Sequence, residues 1–355
     1  MSTRVHYRGA PYDLLPGETL LTGLVRQGVE IPSFCRTGIC QTCLVRATSG
    51  KPSAKSQSGV SETLVQSGCF LACQCVPEGP LEVEPCHDVG SFATRVAHVE
   101  QLSSRVLRVE LEAPVGFNFR AGQFVQLERE GGVTRPYSIA SLPGSPRIEL
   151  HVTLFPGGAM SQWLRWAVHQ PVTLRGPFGE CFYLHDELDR PLLLAGTGSG
   201  LAPLLGVLRD ARAAGHRAAI HLYHGSTSLE GQYASAELQH LVETTPNLRV
   251  FASVLMPAEQ KALPPRTAAA SPAPASPAPA SPAEPAARYQ VRHEPLDRLI
   301  LADPLDFFQC RVYLCGDPEL VQRLRKRIYL SGAPLARIHC DPFLPPASAT
   351  PASPM

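Results

Sequence analysis

The chain has 355 residues, a length typical of two or three domains. Lysine and arginine number 32, aspartate and glutamate number 31, and the resulting formal charge of +1 argues against nucleic acid as a partner. The first residues lack the apolar stretch of a signal peptide and no run of about 18 apolar residues occurs, so we expect a cytoplasmic protein without a membrane span.

Residues 1–88 are predicted to form a first domain, and they hold seven of the eleven cysteines. Without an export signal, these are expected to be reduced thiols or metal ligands rather than disulfides. Cys35, Cys40 and Cys43 have the spacing of a plant-type [2Fe–2S] loop, in which the fourth thiolate comes from a distant segment. Zinc is the alternative, although structural zinc usually takes closely spaced pairs of ligands. The spacing alone leaves four candidates for the fourth ligand: Cys69, Cys73, Cys75 and Cys86.

Residues 33–43, here called the cluster loop, resemble a plant-type ferredoxin domain in their whole sequence, Ser-Phe-Cys-Arg-Thr-Gly-Ile-Cys-Gln-Thr-Cys. The run Phe70-Leu-Ala-Cys-Gln is similar to the last-ligand motif of the same family, and this resemblance selects Cys73. It implies a β-grasp fold with a helix near residues 19–27. The ligands that it implies are Cys35, Cys40, Cys43 and Cys73.

Residues 92–188 are predicted to form a second domain, in which short β-like runs alternate with glycine and proline turns. This rhythm is typical of an antiparallel barrel or sandwich. The strands are predicted at residues 93–99, 105–111, 123–127, 148–153 and 171–174. A helix is predicted over residues 162–168.

Two short motifs in this domain carry groups suited to a nucleotide cofactor. Arg135 offers a forked cation for a phosphate, Tyr137 a flat face for an aromatic ring, and Ser138 a hydroxyl. The run Pro156-Gly-Gly-Ala-Met-Ser precedes the predicted helix, where glycines and free N–H groups make an anion site.

The order of these motifs, after Ala121-Gly-Gln-Phe, resembles the ferredoxin–NADP reductase superfamily over residues 92–344. The resemblance implies an antiparallel Greek-key β-barrel that binds FAD. Arg135 would meet the pyrophosphate, Tyr137 would pack on the isoalloxazine, and Ser138 would lie near flavin N5. The other residues that the resemblance places at FAD are Pro136, His151, Val152, Gly158, Ala159, Met160 and Ser161.

Residues 189–344 are predicted to form a third domain, a parallel-sheet α/β domain. A strand at residues 191–195, a helix at 201–214 and a strand at 219–223 make a βαβ unit. The turn Gly196-Thr-Gly-Ser-Gly, here called the nucleotide loop, has small residues that let a pyrophosphate approach the helix. It matches neither the G-x-G-x-x-G fingerprint nor a Walker A loop.

A second nucleotide motif is Val312-Tyr-Leu-Cys-Gly-Asp-Pro, a predicted strand followed by a helix at residues 319–330 with Asp317 as its N-cap. Both motifs resemble those of the same superfamily, which implies that Cys315 lies beside the nicotinamide. The chain end at residues 338–343 resembles the last strand of the superfamily, and Phe343 would border the flavin. The nucleotide contacts that the resemblance implies are Thr197, Gly198, Ser199, Gly200, Pro203, Cys315, Gly316, Asp317 and Pro318.

The choice between NADH and NADPH depends on the ribose contacts, which we expect in the loop after the second strand of this domain. A 2′-phosphate calls for arginine or lysine, whereas a free 2′-hydroxyl favours an acid. Here Ser226 stands where many relatives have arginine, Glu230 is close, and no lysine or arginine occurs between Leu222 and Leu248. The loop therefore favours NADH, with Ser226 and Glu230 as candidate ribose contacts.

Residues 257–287 and the tail at 345–355 consist mainly of proline, alanine and serine. They have no apolar periodicity, so burial cannot offset the entropy of ordering them. Both segments are predicted to be disordered.

The order of ferredoxin domain, FAD barrel and nucleotide domain resembles the NADH-dependent reductase components of bacterial multicomponent oxygenases, and also the reductase of dideoxysugar biosynthesis. Nicotinamide gives up a hydride with two electrons, whereas a [2Fe–2S] cluster accepts one at a time. Flavin takes two and releases them singly, so it must stand between them. The candidate catalytic residues are Tyr137, Ser138, Cys315 and Phe343.

The resemblance implies a monomer whose electron acceptor is an oxygenase, a hydroxylase or another iron–sulfur protein. Two alternatives remain open. One is a stand-alone NAD(P)H-dependent reductase of a small acceptor such as free flavin, ferric iron or a deoxysugar intermediate. The other is a non-catalytic ferredoxin-type redox module.

Overall fold

The computed structural model describes residues 3–86, 90–255 and 288–343. The segments predicted to be disordered, 257–287 and 345–355, lie outside these residues. The described chain divides into two compact units. One comprises the described residues up to Val99 with Val109–Glu180, and the other comprises Glu100–Arg108 and the described residues of Cys181–Phe343.

Strands and helices are numbered here in chain order. The described strands are β1 (Thr3–Tyr7), β2 (Ala10–Leu14), β3 (Leu44–Ser49), β4 (Cys69–Leu71), β5 (Leu81–Pro85), β6 (Ser91–Ser103), β7 (Val106–Glu112), β8 (Phe124–Arg129), β9 (Thr134–Ser138), β10 (Arg147–Thr153), β11 (Pro171–Phe178), β12 (Leu192–Thr197), β13 (Ile220–Ser226), β14 (Leu248–Val254), β15 (Tyr289–Arg292), β16 (Arg311–Gly316) and β17 (Ile338–Pro342). The described α-helices are α1 (Leu20–Arg26), α2 (Glu62–Gln66), α3 (Ser161–Leu164), α4 (Leu201–Ala213), α5 (Ser235–Thr244), α6 (Leu296–Ala302) and α7 (Pro318–Leu330).

The N-terminal part of the chain is a mixed sheet with one helix packed into its core. Its described strands follow the order β2-β1-β5-β3-β4, and β1 runs parallel to β5. Helix α1 begins after Thr19, whose Oγ1 accepts a hydrogen bond from the backbone N–H of Thr22 at 3.2 Å. Its leucines Leu20 and Leu24 are buried with Phe70 in one core. The predicted β-grasp fold and its helix are confirmed.

The expectation that the cysteines of this part are reduced thiols or ligands is wrong for one pair. Cys69, at the start of β4, forms a disulfide with Cys86, which follows β5. Strands β4 and β5 both pair with β3, which brings their ends within a Cα–Cα distance of 6.2 Å. The prediction rested on the missing export signal, which indicates a cellular compartment. Such a signal does not indicate which two cysteines the strands bring together.

Replacing Cys86 with serine should lower the free energy of unfolding of the N-terminal part by about 3 kcal/mol, because a disulfide restricts the unfolded chain. The bond spans a sequence separation of 17 residues. Denaturant titration without reductant measures the difference. In dithiothreitol the unsubstituted protein should fall to the stability of the variant, and a difference that persists unchanged there would attribute the effect to the side chain rather than the bond.

The second sheet is an antiparallel barrel, as predicted. Its described strands follow the order β10-β7-β6-β11-β8-β9, in which β11 lies between strands that are not its neighbours in sequence. An antiparallel bridge between Ile139 and Leu150 joins the outer strands β9 and β10, and the N–H of Ala140 donates to the carbonyl of Glu149 at 2.9 Å. The sheet therefore closes on itself.

Helix α3 is shorter than the predicted helix over residues 162–168. It ends at Leu164, and His169 has a left-handed φ of 68°. The backbone turns at this point because the N–H of His169 donates to the carbonyl of Val96 at 2.7 Å, which leads the chain into β11. A helix of four residues has little macrodipole, so any anion site here depends on local N–H groups.

The third sheet is parallel, as predicted. Its described strands follow the order β15-β14-β13-β12-β16-β17, and the helices that connect them bury leucine and isoleucine side chains against it. Asp317 is the N-cap of α7, and its Oδ1 accepts a hydrogen bond from the N–H of Leu320 at 2.8 Å. Within residues 3–86, 90–255 and 288–343, no helix is both long enough and apolar enough to cross a membrane.

Candidate functional site

Four cysteines come together as two hydrogen-bonded pairs, and each is only 4–6% exposed. The thiol of Cys40 donates to the sulfur of Cys35, which lowers the pKa of Cys35 to about 4 and raises that of Cys40. The thiol of Cys43 donates to Cys73 in the same way, and the pKa of Cys73 falls to about 7. Each pair therefore holds one thiolate that can bind a metal.

N–H and O–H groups of the cluster loop, and the side-chain amide of Gln74, donate hydrogen bonds to these sulfurs. Cys35 Sγ accepts from the N–H groups of Thr37 and Cys40, both at 3.4 Å. The hydroxyl of Thr42 donates to Cys40 Sγ at 3.1 Å, and the amide of Gln74 donates to a third sulfur, Cys73 Sγ, at 3.7 Å. Such donors stabilise negative charge on sulfur, and they set the reduction potential of a bound cluster.

The pairing distinguishes between zinc and a two-iron cluster. Structural zinc needs four ligands on one ion, whereas each iron of a [2Fe–2S] cluster takes two protein ligands. Of the other candidates for the fourth ligand, Cys69 and Cys86 are joined in the disulfide, and Cys75 is 0% exposed. The residues present fit a [2Fe–2S] cluster.

The Arg-Pro-Tyr-Ser motif lies on β9, a strand that the sequence did not predict. Arg135 donates to the carbonyl of Thr134 at 2.7 Å, and Pro136 pairs with Gln126 of β8. Burial raises the pKa of Tyr137, so its phenol stays protonated, and Ser138 is 4% exposed.

The other predicted flavin residues lie on β10 and in the turn before α3. The bridge that closes the barrel sets the Ser138 end of β9 beside His151, whose Nε2 lies 2.8 Å from Glu149 Oε1. In the turn, the Oγ of Ser161 accepts from the N–H of Phe155 at 3.2 Å, which holds the loop closed. Of the remaining residues, Val152 and Met160 are buried, Gly158 and Pro136 are half-buried, and Ala159 is exposed.

These residues of the barrel fit FAD. A Cβ at Gly158 would stand 2.5 Å from Ser161 Oγ, so the turn is as tight as a phosphate-binding loop requires. Arg135 keeps donors that its one hydrogen bond does not use.

The two predicted nicotinamide motifs meet where β12 and β16 pair, Gly196 opposite Cys315. A Cβ at Gly200 would stand 2.7 Å from the carbonyl carbon of Cys315, so the nucleotide loop packs directly on the backbone of the second motif. Thr197 Oγ1 accepts from the N–H of Asp317 at 2.9 Å and fixes the two turns together. The remaining predicted residues of these turns are Gly198, Ser199, Pro203, Gly316 and Pro318. Pro318 is the first residue of α7, and Gly316 directly precedes its N-cap.

Phe343 follows β17, where its N–H donates to the carbonyl of Gly316 at 2.7 Å. The aromatic residue at this chain position is therefore anchored to the second nicotinamide motif. The residue is half-buried.

The structure also brings in residues that the sequence reasoning did not assign. His224 Nε2 lies 3.0 Å from the carbonyl of Gly198 in the nucleotide loop, and its Nδ1 lies 2.9 Å from Gln232 Oε1. The amide of Gln232 donates to Ser226 Oγ at 2.9 Å. His224 thus connects the nucleotide loop with the predicted ribose loop, in which Glu230 is exposed. The contact depends on the pairing of β13 with β12, which the sequence around His224 does not indicate.

A second unassigned residue is Cys181, whose Sγ lies 3.4 Å from Cys315 Sγ. Both thiols are buried, and burial raises the pKa of Cys315. Cys315 is therefore a neutral thiol and a poor nucleophile.

Comparison with known proteins identifies the family. A model described as a 2Fe-2S iron-sulfur cluster binding domain matches residues 8–78, and one described as an oxidoreductase FAD-binding domain matches residues 93–183. The reductase subunit of an aromatic O-demethylase from Amycolatopsis sp. is 34% identical over 272 residues, which is 72% of this chain and 81% of that protein. The chain belongs to the ferredoxin–NADP reductase superfamily and carries a [2Fe–2S] ferredoxin domain.

Other relatives of this reductase span nearly its whole length. The ferredoxin–NAD(P)(+) reductase component of the naphthalene 1,2-dioxygenase/salicylate 5-hydroxylase systems of Ralstonia sp. is 29% identical, and the match covers 93% of this chain and 94% of that protein. The crystal structure of the Amycolatopsis cytochrome P450 reductase GcoB is 27% identical with a TM-score of 0.63, and the match covers 97% and 99% of the two chains. This reductase is an oxidoreductase that binds a [2Fe–2S] cluster and FAD and draws electrons from NAD(P)H. The non-catalytic alternative is thereby wrong.

Proposed function

We propose that this reductase passes single electrons from NADH to a separate oxygenase or hydroxylase component, or to another iron–sulfur protein. The two cysteine pairs carry the proposal, because a one-electron cluster is not needed to reduce a small two-electron acceptor. Two of the relatives described above support the same kind of partner: one is the reductase subunit of an aromatic O-demethylase, and the other is the reductase component of naphthalene 1,2-dioxygenase/salicylate 5-hydroxylase systems.

The residue roles follow from what each group can do. Bound FAD supplies the conversion of a two-electron hydride into single electrons. Arg135 binds its pyrophosphate, Tyr137 packs on its ring, and the Ser138 hydroxyl bonds near N5. Cys315 and Phe343 border the nicotinamide, which the nucleotide loop orients. The cluster ligands in this proposal are Cys35, Cys40, Cys43 and Cys73.

The same proposal assigns one redox partner to each predicted domain: the cluster to residues 1–88, FAD to 92–188 and NADH to 189–344. It places the protein in the cytoplasm, where NADH is available. Because one chain supplies all three sites, it is proposed to act as a monomer.

Reconstitution with a purified oxygenase component tests the acceptor. The holoenzyme should support NADH-dependent turnover of the oxygenase, and its rates with free flavin or ferric citrate should be far lower. If kcat/KM for one of those small acceptors exceeds that for every protein acceptor, the reductase acts alone and the proposal is wrong.

The preference for NADH gives a prediction at Ser226. Replacing Ser226 with arginine should raise kcat/KM for NADPH by about tenfold or more, since a hydrogen bond to a charged group contributes about 1.5–3 kcal/mol. Steady-state kinetics with both nucleotides measures this change. Thr227→Arg adds the same charge one residue later, at an exposed position. An equal gain in both variants would show general attraction of the phosphate and no ribose contact at Ser226.

A further inference from the structure

Strand β8 of the barrel is buried on both of its faces, although alternate residues of a barrel strand usually face solvent. Val125 and Leu127 are 0% exposed, and Gln126, which points to the opposite face, is only 4% exposed. A buried amide on the outer face of a barrel needs a hydrogen-bond partner. The cluster loop supplies it, since Gln126 Nε2 donates to the carbonyl of Cys40 at 3.1 Å.

A second contact joins the same two parts of the chain. The guanidinium carbon of Arg135 lies 4.8 Å from the ring centroid of Phe34, a cation–π distance. Phe34 directly precedes Cys35 in the cluster loop. Arg135 therefore has one face on the cluster loop while it remains the candidate pyrophosphate contact.

The two contacts come from neighbouring positions of the sheet. Gln126 pairs with Pro136, and Leu127 pairs with Arg135, so both contacts lie beside the strand that carries the flavin motif. On the cluster side, both reach the Cys35 and Cys40 pair. The path from the flavin motif to a proposed cluster ligand is therefore short. It runs from Pro136 to its strand partner Gln126, and from Gln126 through one hydrogen bond to the Cys40 carbonyl.

We propose that Gln126 is a positioning residue that fixes the cluster loop on the FAD barrel for electron transfer, through its hydrogen bond to the Cys40 carbonyl. This inference rests on the proposed function. With FAD and a [2Fe–2S] cluster bound, NADH would supply two electrons to FAD, and each transfer across this contact would move one of them and reduce one ferric ion to ferrous. Two such transfers, with re-oxidation of the cluster by the acceptor between them, would complete one turnover.

The variant Gln126→Glu tests the contact, because it keeps the shape of the side chain but sets a carboxylate against the Cys40 carbonyl. Anaerobic rapid mixing with NADH resolves flavin reduction from cluster reduction. The rate of cluster reduction should fall about tenfold or more, as expected from the loss of one buried hydrogen bond and an added repulsion. The rate of flavin reduction and the FAD content should stay unchanged, and in Gln126→Leu, which adds no charge, the cluster midpoint potential should stay unchanged as well.

Three comparisons make the result specific. Gln170→Glu introduces the same charge at an exposed position of the barrel and should leave both rates unchanged. Gln126→Leu removes the hydrogen-bond donor without adding charge, so the same rates can be measured in it if Gln126→Glu does not fold. Amide hydrogen exchange of the cluster loop in the holoenzyme should be faster in either Gln126 variant, a readout that does not depend on turnover.

The outcomes separate this inference from the proposed function. Unchanged cluster reduction in both Gln126 variants would overturn the positioning role. Slower cluster reduction accompanied by loss of FAD would also overturn it, since Gln126 would then support the barrel itself. If the unsubstituted reductase transfers no electrons from NADH to a cluster at all, the proposed function fails first.

Discussion

Replacing Cys73 with serine should abolish the one-electron output of this reductase and leave NADH-driven flavin reduction intact. Cys73 is hydrogen-bonded to Cys43, and its sulfur accepts a hydrogen bond from the side-chain amide of Gln74. Without this thiolate one iron has a single protein ligand. The rate of reduction of a protein acceptor should fall by more than about 10–100-fold, which is the loss typical when a residue that only supports a metal ligand is changed.

Iron and sulfide content, the visible spectrum and two assays measure this result. Reduction of ferricyanide, which can take electrons from flavin, should persist, while reduction of the protein acceptor should disappear. Cys75→Ser is the matched control, since Cys75 lies two residues further and is 0% exposed. Cys73→Ser protein with a full complement of iron, or an equal loss of iron in both variants, would contradict the ligand assignment.

The features that could be predicted from the sequence are those encoded within a few residues. The spacing of Cys35, Cys40 and Cys43 holds three thiols in one loop whatever the rest of the chain does. The N-cap at Asp317 and the order of strand, small-residue turn and helix after residue 191 are equally local. Fold class and cofactors followed from these patterns and the resemblance.

Features that depend on the partner strand could not be predicted in this way. Strand β9 was not predicted: Pro136 cannot donate to a ladder, yet it lies on a strand whose described ladder is to β8. The end of α3 depends on Val96, more than 60 residues earlier, which accepts from His169. The disulfide between Cys69 and Cys86 likewise requires two strands to flank the same neighbour.

Dependence on a partner strand also explains why two residues that support the site, His224 and Gln126, were not predicted. His224 and Gln126 are buried polar residues within strands, and their own sequence neighbours do not indicate what they contact. Each makes a hydrogen bond to a loop carbonyl from a different part of the chain. Their roles become visible only when strand order is known, because the adjacent strand carries the loop or the motif concerned.

Replacing Gly316 with alanine should remove nicotinamide use while the cluster and FAD remain bound. Gly316 has a φ of 103°, and a Cβ there would stand 2.6 Å from the carbonyl oxygen and 2.7 Å from the Oγ1 of Thr197. The backbone must move, and the hydrogen bond from Asp317 to Thr197 breaks with it. Because a shift of about 1 Å in an active site can cost about 100-fold, kcat/KM for NADH should fall at least that much.

Dithionite provides the discriminating measurement, since it delivers electrons without the nucleotide site. In Gly316→Ala protein it should reduce FAD and cluster fully, although NADH reduces neither at an appreciable rate. Gly332, which follows α7, has a similar φ of 108° but no atom within 4 Å of a built Cβ. Gly332→Ala should therefore lower thermal stability and leave kcat/KM for NADH unchanged. Equal losses in the two variants would show that backbone strain alone, and not the close approach to Thr197, explains the effect.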